Sequence, residues 1–242
     1  MIDIHSHILP AVDDGAKDMA ESLELLRLVV ADGVTDQVLT PHLSEGHYEE
    51  SVNGAKTAFS LLQGAVDDAG INIRLHLSAE VMISHAILKF VEYDDMPWIG
   101  SWEGRKAFLM DLPQFNLPFG GDQLVSRLVS KNIQPILAHP ERNYEIQNDI
   151  SKIKPYIASG CLLQINCGSL LGDFGATVFK AACDLLKMNH VTFLASDCHN
   201  LTERYPNLKS GMEVASDIVG KTAAYEMVTK APGNLIHGVA RS

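Results

Sequence analysis

Seven short apolar segments recur along this chain, and segments with helical spacing separate them. Several are continuous apolar runs, such as Ile136-Leu137-Ala138 and Phe193-Leu194-Ala195. Continuous runs of this kind are typical of parallel strands buried on both faces, whereas strands with one solvated face alternate apolar and polar residues. The predicted strands cover residues 1–5, 36–40, 74–80, 106–111, 134–139, 162–166 and 191–196.

The intervening segments place apolar residues three and four positions apart, which is the spacing of an amphipathic helix. Predicted helices cover residues 22–31, 55–68, 123–131, 177–188 and 212–230. About seven alternating strand–helix units predict an α/β fold, and we expect a distorted barrel related to the (β/α)8 type. An open doubly wound sheet is the alternative, but no glycine-rich nucleotide-binding motif follows the first strand. No linker or repeat divides the chain, so we expect one domain over residues 1–242.

The charge of the chain limits the classes of partner. The 242 residues carry a formal net charge of −11, which disfavours non-specific nucleic-acid binding because that requires a basic surface.

The amino terminus lacks the basic and apolar regions of a signal peptide, and no apolar run is long enough for membrane insertion. The four cysteines show no C-x-x-C spacing and are predicted to be free thiols, for which the cytoplasm is the default compartment.

The first predicted strand ends in a pair of histidines. One residue separates His5 from His7, and alternate side chains of an extended segment project from the same face. Two imidazoles presented in this way can bind one divalent ion. The alternative interpretation is that these are two solvated polar residues at a strand end. The pair alone does not distinguish the two interpretations, and further candidate ligands elsewhere in the chain favour metal binding.

Side chains able to bind metal recur at the ends of other predicted strands. Barrel enzymes build their active sites at the carboxyl ends of their strands. One polar residue at a strand end means little, but six strands that end in this way predict a multinuclear metal site. The residues concerned are His5, His42, Glu80, Asp111, His139, Asp197 and His199.

The loop after His7 supplies one more candidate ligand. Asp13 and Asp14 lie in this loop, and Gly15 allows the chain to turn back so that one of the two carboxylates reaches a metal ion. The remaining five histidines do not follow predicted strands, and we expect them at the surface or in structural positions: His47, His76, His85, His190 and His237.

Several motifs of the sequence resemble those of a known family. The likeness runs from Met1 to about Pro206 and is carried by MIDIHSHILPAVDDG, TPH, SAE, LAHPERN and ASDCHN. Together these motifs are similar to the PHP (polymerase and histidinol phosphatase) superfamily, and more closely to the bacterial PHP-type protein-tyrosine phosphatases of the CpsB/YwqE group. The resemblance implies a distorted (β/α)7 barrel, which agrees with the strand count.

The resemblance also implies a cluster of three metal ions. Carried over by motif, the ligands of the first ion are His5, His7, Glu80 and Asp197, those of the second are Glu80, Asp111 and His139, and those of the third are Asp14, His42 and His199. The motif match favours Asp14 over Asp13, and relatives often carry the longer Glu at the position of Asp111. Members of this group commonly use manganese, and the mixed ligand set also suits zinc or iron.

Such a cluster implies hydrolysis of a phosphate ester. Ions about 3.5–4 Å apart activate a water molecule for in-line attack on phosphorus. Arg142 and Arg204 follow the last two metal motifs and are candidates to bind the phosphate, because a guanidinium matches phosphate oxygens. A surface salt bridge is the alternative role for each arginine. Tyr48 and Phe115 are further candidates, which could flank a phosphotyrosine ring.

A second phosphatase signature is present in form only. Cys198 and Arg204 satisfy the C-x5-R pattern of cysteine-dependent tyrosine phosphatases. That chemistry needs a loop of backbone N–H groups and a thiol with a lowered pKa. This stretch has no glycine, and the neighbouring Asp197 and Glu203 would raise the pKa of the thiol. We therefore expect the metal-dependent mechanism.

Three functions are compatible with the sequence. The leading one is a cytoplasmic, metal-dependent protein-tyrosine phosphatase that acts on a bacterial tyrosine autokinase in capsule or exopolysaccharide synthesis. The second is a small-molecule phosphoesterase of the same superfamily, acting on a sugar phosphate or histidinol phosphate. The third is a non-catalytic metal-binding scaffold, and the complete set of candidate ligands argues against it.

Overall fold

The structure is a computed structural model that describes residues 1–43, 48–92 and 96–238, and for residues 48–50 it describes the backbone alone. His47 lies outside the described residues. Two sheets are built from strands with the following bounds: β1 Ile2–Asp3, β2 Asp36–Leu39, β3 Arg74–Leu77, β4 Glu80–Met82, β5 Gly100–Trp102, β6 Arg105–Asp111, β7 Ile133–Ala138, β8 Leu162–Asn166 and β9 Val191–Ala195.

The strands pair in parallel, with one exception. One sheet has the order β1-β2-β3, and the other has the order β4-β6-β7-β8-β9 with β5 antiparallel to β6. All seven predicted strand segments contain a strand. The prediction of one strand over residues 74–80 is wrong in detail, because β3 and β4 are separated at Ser78, whose hydroxyl donates to the carbonyl of Pro97 at 2.8 Å. The three-residue β5 was not predicted.

Two single bridges join the two sheets, one beyond the edge strand β1 and one beyond the middle strand β2. Ser6, beyond β1, pairs with Cys198, beyond β9, and His42, beyond β2, pairs with Glu80 of β4. The parallel strands are therefore connected in a ring, in agreement with the predicted distorted (β/α)7 barrel. Both joins lie beside candidate metal ligands, so the closure of the ring also assembles the candidate site.

The helices differ from prediction mainly near the carboxyl terminus. The first four predicted helices are confirmed with shifted ends, but the predicted helix over residues 212–230 is divided in two places. Gly220 has a φ of 88° and ends the first piece, since this left-handed backbone cannot continue a right-handed helix. The helices are α1 Met19–Ala31, α2 Tyr48–Asp68, α3 Ile87–Glu92, α4 Gly121–Ser130, α5 Tyr144–Asn148, α6 Lys154–Ala158, α7 Cys167–Leu171, α8 Ala176–Lys187, α9 Leu208–Val219, α10 Lys221–Met227 and α11 Lys230–His237. In the described part of the chain, none is long and apolar enough to cross a membrane.

Apolar residues on the two faces of the strands pack into two separate clusters. On β6, Leu109 belongs to a small cluster shared with other strands, while Phe108 belongs to the larger cluster that packs against the helices. Leu235 of α11 joins the small cluster, and Gly233 of the same helix approaches Ile2 at the start of β1. Helix α11 therefore packs beside the amino-terminal end of β1, away from the strand ends that carry the candidate ligands.

Candidate metal centre

Two histidines beyond β1 converge on one point. The Nε2 atoms of His5 and His7 lie 3.2 Å apart. The Nδ1 of His5 donates to the Oε1 of Gln164 at 2.9 Å, and the Nδ1 of His7 donates to the Oδ2 of Asp13 at 2.6 Å. An acceptor at each Nδ1 leaves the lone pair of a neutral ring on Nε2. Two such lone pairs at this distance repel each other unless a cation lies between them, so the geometry suits a shared metal ion.

The electrostatic surroundings of this pair favour positive charge. Burial disfavours a charged imidazole, but the hydrogen bond with Asp13 and the proximity of Glu80 raise the pKa of His7 to about 10. Burial also opposes ionisation of Asp13, but its contact with His7 outweighs that effect and lowers its pKa to about 2. The carboxylates around the histidines therefore stabilise a positive charge at this point.

Glu80, at the start of β4, lies at the centre of the candidate site. Its Oε1 accepts a hydrogen bond from the Nε2 of His139 at 2.8 Å. Its Oε2 lies 3.1 Å from the Nδ1 of His42, 3.4 Å from the Nε2 of His5 and 3.5 Å from the Nε2 of His7. Burial opposes ionisation, but His5 and His139 hold the pKa of Glu80 well below its usual range. One carboxylate thus presents each oxygen to a different group of histidines.

Asp197, two residues after the end of β9, presents one oxygen to the same histidines. Its Oδ1 lies 3.4 Å from the Nε2 of His5 and 3.5 Å from the Nε2 of His7. Atoms that bind one ion at about 2.1 Å lie about 3.0–3.4 Å apart when they occupy neighbouring coordination positions. The distances that link His5, His7, Glu80 and Asp197 are close to this spacing.

The other oxygen of Asp197 is held by three donors. Its Oδ2 accepts from the Nδ2 of Asn166 at 2.6 Å, from a guanidinium nitrogen of Arg204 at 2.5 Å and from one of Arg142 at 3.2 Å. Burial opposes ionisation of Asp197, but His5 and Arg204 keep its pKa well below the usual range. The carboxylate is therefore anionic and fixed in orientation, with Oδ1 directed at the histidines.

A second group of candidate ligands lies at the rim of the site. The Nε2 of His199 is 3.6 Å from the Oδ1 of Asp14, and the Nε2 of His42 is 3.7 Å from the same oxygen. Burial and the neighbouring His7 lower the pKa of His199 to about 2, so its imidazole is neutral and able to bind a metal. Asp14 is exposed to solvent and belongs to this group. Asp13 does not belong to it, and its carboxylate accepts a hydrogen bond from His7 and orients that ring instead.

Asp111 and His139 complete the arrangement. The Oδ1 of Asp111 lies 3.8 Å from the Nδ1 of His139. Burial and the negative charge of Glu80 raise the pKa of Asp111 to about 8. His139 and Asp197 have φ angles of 26° and 53°, which are costly for residues other than glycine. Strained backbone at two candidate ligands indicates that the surrounding structure holds these side chains in place against a local preference.

Among the described residues, the side chains form four overlapping sets that could each hold a cation. In each set, one ligand atom per residue lies within 4.8 Å of all the others. The sets are His7, Asp14, His42 and His199; His5, His7 and Glu80; His5, His139 and Asp197; and His42, Glu80 and Asp111. Each of the nine residues expected from the sequence belongs to at least one set. The grouping differs from the expected one, since His42 rather than His139 joins Glu80 and Asp111.

Three buried atoms in these sets lack a hydrogen-bond partner among the described residues. They are the Oε2 of Glu80, the Oδ1 of Asp197 and the Nε2 of His199. An unpaired polar atom in a protein interior costs about 1–3 kcal/mol, and more when it is charged. Three of them directed at one small region fit bound divalent ions, because lone pairs on neutral imidazoles and carboxylates are ligands for such ions.

The two candidate phosphate-binding arginines lie side by side at this centre. Both donate to Asp197, so each makes a partly buried salt bridge as well as lining the cleft. The ring of Phe174 lies 4.6 Å from the guanidinium carbon of Arg142 and 6.0 Å from that of Arg204. An aromatic face at these distances attracts a guanidinium. Phe174 therefore supports both arginines from one side.

The residues that position the candidate ligands through hydrogen bonds and packing were not predicted from the sequence. Gln164 and Asn166 are polar residues within the apolar strand β8, and this exception to the pattern was an available signal. Asp3 accepts from the backbone N–H and the hydroxyl of Ser196 and so ties β1 to β9. Nothing in the sequence distinguishes Phe174 from an ordinary loop residue.

Gly15 shows how tightly the loop after β1 is packed against His7. A Cβ atom at this position would lie 1.9 Å from the carbonyl oxygen of His7, which is far inside van der Waals contact. The backbone N–H of Gly15 donates to the Oδ1 of Asp13 at 3.0 Å. The absence of a side chain therefore lets the loop place Asp13 against His7.

Five of the nine candidate ligands line a cleft of about 230 Å³. Its walls combine charged groups with the apolar side chains of Met82 and Leu112. The full lining is Asp14, His42, Glu80, Met82, Asp111, Leu112, Gln114, His139, Arg142, Asn143 and Arg204. A cleft with two arginines and an apolar wall has the composition needed to bind an aryl phosphate.

Other candidates from the sequence lie elsewhere. His76 contacts Asp36, and His85, His190 and His237 are exposed and belong to none of the four sets. Phe115 is exposed and follows Gln114, which lines the cleft, and Tyr48 begins α2 with its side chain outside the described part of the chain.

Cys198 has none of the properties of a cysteine nucleophile. Its side chain is fully buried and does not line the cleft, and burial together with Asp3 raises the pKa of its thiol. A reactive cysteine needs the opposite, which is exposure and a lowered pKa. The structure therefore agrees with the sequence in disfavouring the cysteine-dependent mechanism.

Comparison with known proteins identifies the family. The family model described as capsular polysaccharide synthesis, CpsB/CapC, matches residues 1–237. The tyrosine-protein phosphatase YwqE of Bacillus subtilis (strain 168) is 31% identical over 231 residues, which cover 96% of this chain and 90% of that protein. One matching solved structure comes from work on YwqE from Bacillus subtilis and CpsB from Streptococcus pneumoniae, which are described as unique metal-dependent tyrosine phosphatases. It matches with a TM-score of 0.89 and 30% identity, over 100% of this chain and 96% of that chain.

A more distant likeness concerns the fold alone. The phosphotriesterase homology protein from Escherichia coli matches with a TM-score of 0.59 and 11% identity, over 98% of this chain and 97% of that chain. The match over nearly the full length supports the barrel architecture. By the extent of the family match and the similarity to YwqE, this chain belongs to the CpsB/CapC family of capsular polysaccharide synthesis proteins.

Proposed function

We propose that this protein is a metal-dependent protein-tyrosine phosphatase that acts in capsular or exopolysaccharide synthesis. The observation that carries the proposal is the convergence of three unpartnered buried ligand atoms, on Glu80, Asp197 and His199, next to a cleft that two arginines line. Membership of the CpsB/CapC family and the similarity to proteins named tyrosine-protein phosphatases support the same reaction.

The candidate ligands are proposed to hold two to three divalent ions, with manganese as the principal metal and zinc or iron as alternatives. Imidazole and carboxylate groups are ligands that suit all three metals. When bound, the ions supply Lewis acidity and lower the pKa of water in the cleft. The proposed ligands are His5, His7, Asp14, His42, Glu80, Asp111, His139, Asp197 and His199.

The two arginines are proposed to bind the phosphoryl group. Arg142 and Arg204 each use one guanidinium nitrogen on Asp197, and a guanidinium carries five N–H donors in total. The donors that remain can bind phosphate oxygens in the cleft and stabilise the charge that develops on them during attack. Met82 and Leu112 form an apolar wall of the cleft that can accept the phenyl ring of a phosphotyrosine.

The physiological substrate is proposed to be a phosphotyrosine protein, and specifically a bacterial tyrosine autokinase. The family's role in capsular polysaccharide synthesis supports this choice. We also propose that the protein is a single PHP domain that acts in the cytoplasm. Four free cysteines, all buried, support a reducing compartment.

The test is activity of protein prepared with defined metal content. Protein without ions and protein loaded with manganese, zinc or iron would be assayed on phosphotyrosine peptides, phosphoserine peptides, sugar phosphates and histidinol phosphate. We expect metal-dependent hydrolysis of the phosphotyrosine peptides. Faster hydrolysis of a phosphorylated metabolite would support the small-molecule phosphoesterase instead, and metal binding without turnover would support a scaffold.

A structural measurement tests the ligand assignment independently of activity. Elemental analysis should find two to three divalent ions per chain, and anomalous scattering should place them among the nine proposed ligands. Ions bound only at His76 or at other residues outside the site would contradict the assignment.

A further inference from the structure

The segment between β6 and α4 carries aromatic side chains that face solvent. Phe115 is 64% exposed and Phe119 is fully exposed. Tyr144, at the start of α5, is 43% exposed and meets Phe115 edge to face, with 5.2 Å between the ring centroids. An exposed aromatic pair gains little from burial, so folding of the chain alone does not explain why it stands at this surface.

The pair is nevertheless held in a defined position. The backbone N–H of Tyr144 donates to the carbonyl of Gln114 at 2.9 Å, and the side chain of Asn143 donates to the carbonyl of Pro113 at 2.7 Å. These bonds fasten the segment that carries Phe115 to the segment that carries Tyr144. A rigid aromatic surface that is arranged before binding loses little conformational entropy when a partner contacts it.

This surface is continuous with the proposed active-site cleft. Gln114 and Asn143 line the cleft, and they are the chain neighbours of Phe115 and Tyr144, which do not line it. The aromatic pair therefore stands immediately outside the space that a phosphotyrosine side chain would occupy. A small aryl phosphate bound in the cleft would be contained there, whereas a polypeptide would continue over the rim.

We propose that the Phe115–Tyr144 pair is a docking contact for the polypeptide that carries the phosphotyrosine, and that it receives an apolar or aromatic side chain next to that residue. This inference rests on the proposed phosphatase function. Successive residues of an extended peptide advance about 3.3 Å, so the immediate neighbours of a phosphotyrosine held in the cleft pass close to its rim. Both rings are uncharged and present apolar surface, which favours apolar contacts over acidic ones.

Two series of substrates test the inference with Phe115→Ala. The first compares phosphotyrosine peptides flanked by Leu or Phe with peptides flanked by Gly and Ser, and the second is a small aryl phosphate. We expect kcat/KM for the apolar-flanked peptides to fall about three- to tenfold, as expected for the loss of one aromatic contact. Hydrolysis of the small aryl phosphate and of the Gly/Ser-flanked peptides should be unchanged, so the preference for apolar flanks should disappear.

Two further variants serve as controls. Tyr225→Ala removes a ring that is 57% exposed on α10 and does not line the cleft, and it should leave all substrates unaffected. Phe115→Tyr keeps an aromatic ring and should retain the peptide preference. The melting temperature of each variant would establish that it folds.

Several outcomes would overturn the inference. Equal losses on the peptides and the small aryl phosphate would assign Phe115 to the shape of the cleft. Unchanged kinetics on every peptide would remove the pair from substrate binding, and a change of molecular mass in solution would assign it to an interface between copies of this chain. The proposed function itself would fail in a different way, since the wild-type protein would then not hydrolyse phosphotyrosine peptides at all.

Discussion

Two buried aspartates, Asp36 and Asp197, contact arginine and histidine in very different ways. At the start of β2, both oxygens of Asp36 accept from Arg74 at 2.6 Å, and Thr35 and His76 supply further contacts. After β9, one oxygen of Asp197 accepts from three donors, and the other has no hydrogen-bond partner among the described residues.

The difference separates a structural ion pair at Asp36 from a candidate metal ligand at Asp197. The carboxylate of Asp36 is satisfied by the protein, and Arg74 lowers its pKa despite the opposing effect of burial. The carboxylate of Asp197 is held firmly through one oxygen while the other faces three imidazoles. A buried charged atom without a partner is costly, so an ion from outside the chain that pairs with it would lower the free energy of the folded state. The comparison therefore supports a metal-binding role for Asp197 rather than for Asp36.

Glu80→Gln should produce the largest effect, because Glu80 contacts more of the candidate ligands than any exposed carboxylate does. The substitution keeps the shape of the side chain and removes the charge that offsets the cations. We expect kcat on a phosphotyrosine peptide to fall by about a hundredfold or more. Mutating a residue that only supports a metal ligand already lowers activity about ten- to a hundredfold, and a residue that binds the metal directly should matter more. Elemental analysis should show partial loss of metal.

Asp14→Asn is the matched control for Glu80→Gln. Asp14 is exposed and belongs to one candidate set at the rim, so its loss should reduce turnover by less, about tenfold. A Glu80→Gln protein with wild-type rate and metal content would show that this carboxylate does not join the ions.

Arg142→Ala and Arg204→Ala should have the next largest effects. A charge-assisted contact to phosphate contributes about 1.5–3 kcal/mol, so kcat/KM should fall about ten- to a hundredfold. Metal content should be unchanged, because Asn166 still holds Asp197 at 2.6 Å. Arg→Lys should restore only part of the rate, since an ammonium group cannot make two parallel bonds.

The substrates used with the arginine variants decide between two roles. Equal deficits on phosphotyrosine peptides and on a small aryl phosphate are expected, because both present the same phosphoryl group. A deficit on peptides alone would place the arginines on a docking surface, and normal kinetics in the double variant would exclude them from the site.

Phe174→Leu should have a smaller effect through the two arginines. A cation–π contact at a partly exposed site contributes about 0.5–1 kcal/mol, which corresponds to about two- to fivefold in kcat/KM. We expect Phe174→Tyr to retain activity because it keeps the aromatic face. Metal content should match the wild type in both variants, and an equal loss in Phe174→Tyr would show that the ring does not act through its face.

The strand ends could be predicted from the sequence, and the candidate ligands could be proposed from it, because both depend on local patterns. A buried parallel strand is a continuous apolar run, and a polar residue at its end marks the place where the site forms. His5, His139 and Asp197 could therefore be identified from the chain alone. Short elements such as β5, and the division of the last predicted helix at Gly220, depend on tertiary contacts and backbone geometry that a periodic pattern does not contain.

The supporting residues could not be predicted for a related reason. Gln164, Asn166 and Phe174 act on partners more than 25 residues away in sequence, and their roles exist only in the folded barrel. The choice between Asp13 and Asp14 is similar, because neighbouring side chains of one loop point to different partners. Sequence motifs identified the atoms that could bind a metal, and the fold determined which atoms were held in place and which were left without a partner.

Asp36→Asn provides the smallest and most diagnostic change. Asp36 resembles Asp197 because it is a buried aspartate that contacts an arginine and a histidine. It differs because it lies at the opposite end of the strands. Since Arg74 is largely exposed and can return to water, we expect a loss of about 1 kcal/mol in the free energy of unfolding. Turnover per folded molecule and metal content should equal those of the wild type.

The pH dependence of this variant sharpens the comparison. The folded-state pKa of Asp36 is lowered, so its contribution to stability is present above the unfolded value of about 3.9 and disappears as the pH falls through the lower folded value. Denaturant unfolding should therefore show a constant difference between wild type and Asp36→Asn from about pH 5 to 8, and this difference should shrink below about pH 4. A loss of turnover in Asp36→Asn without a loss of stability would contradict the distinction between a structural aspartate and a candidate ligand. Asp36 would then contribute to activity, as is proposed for Asp197.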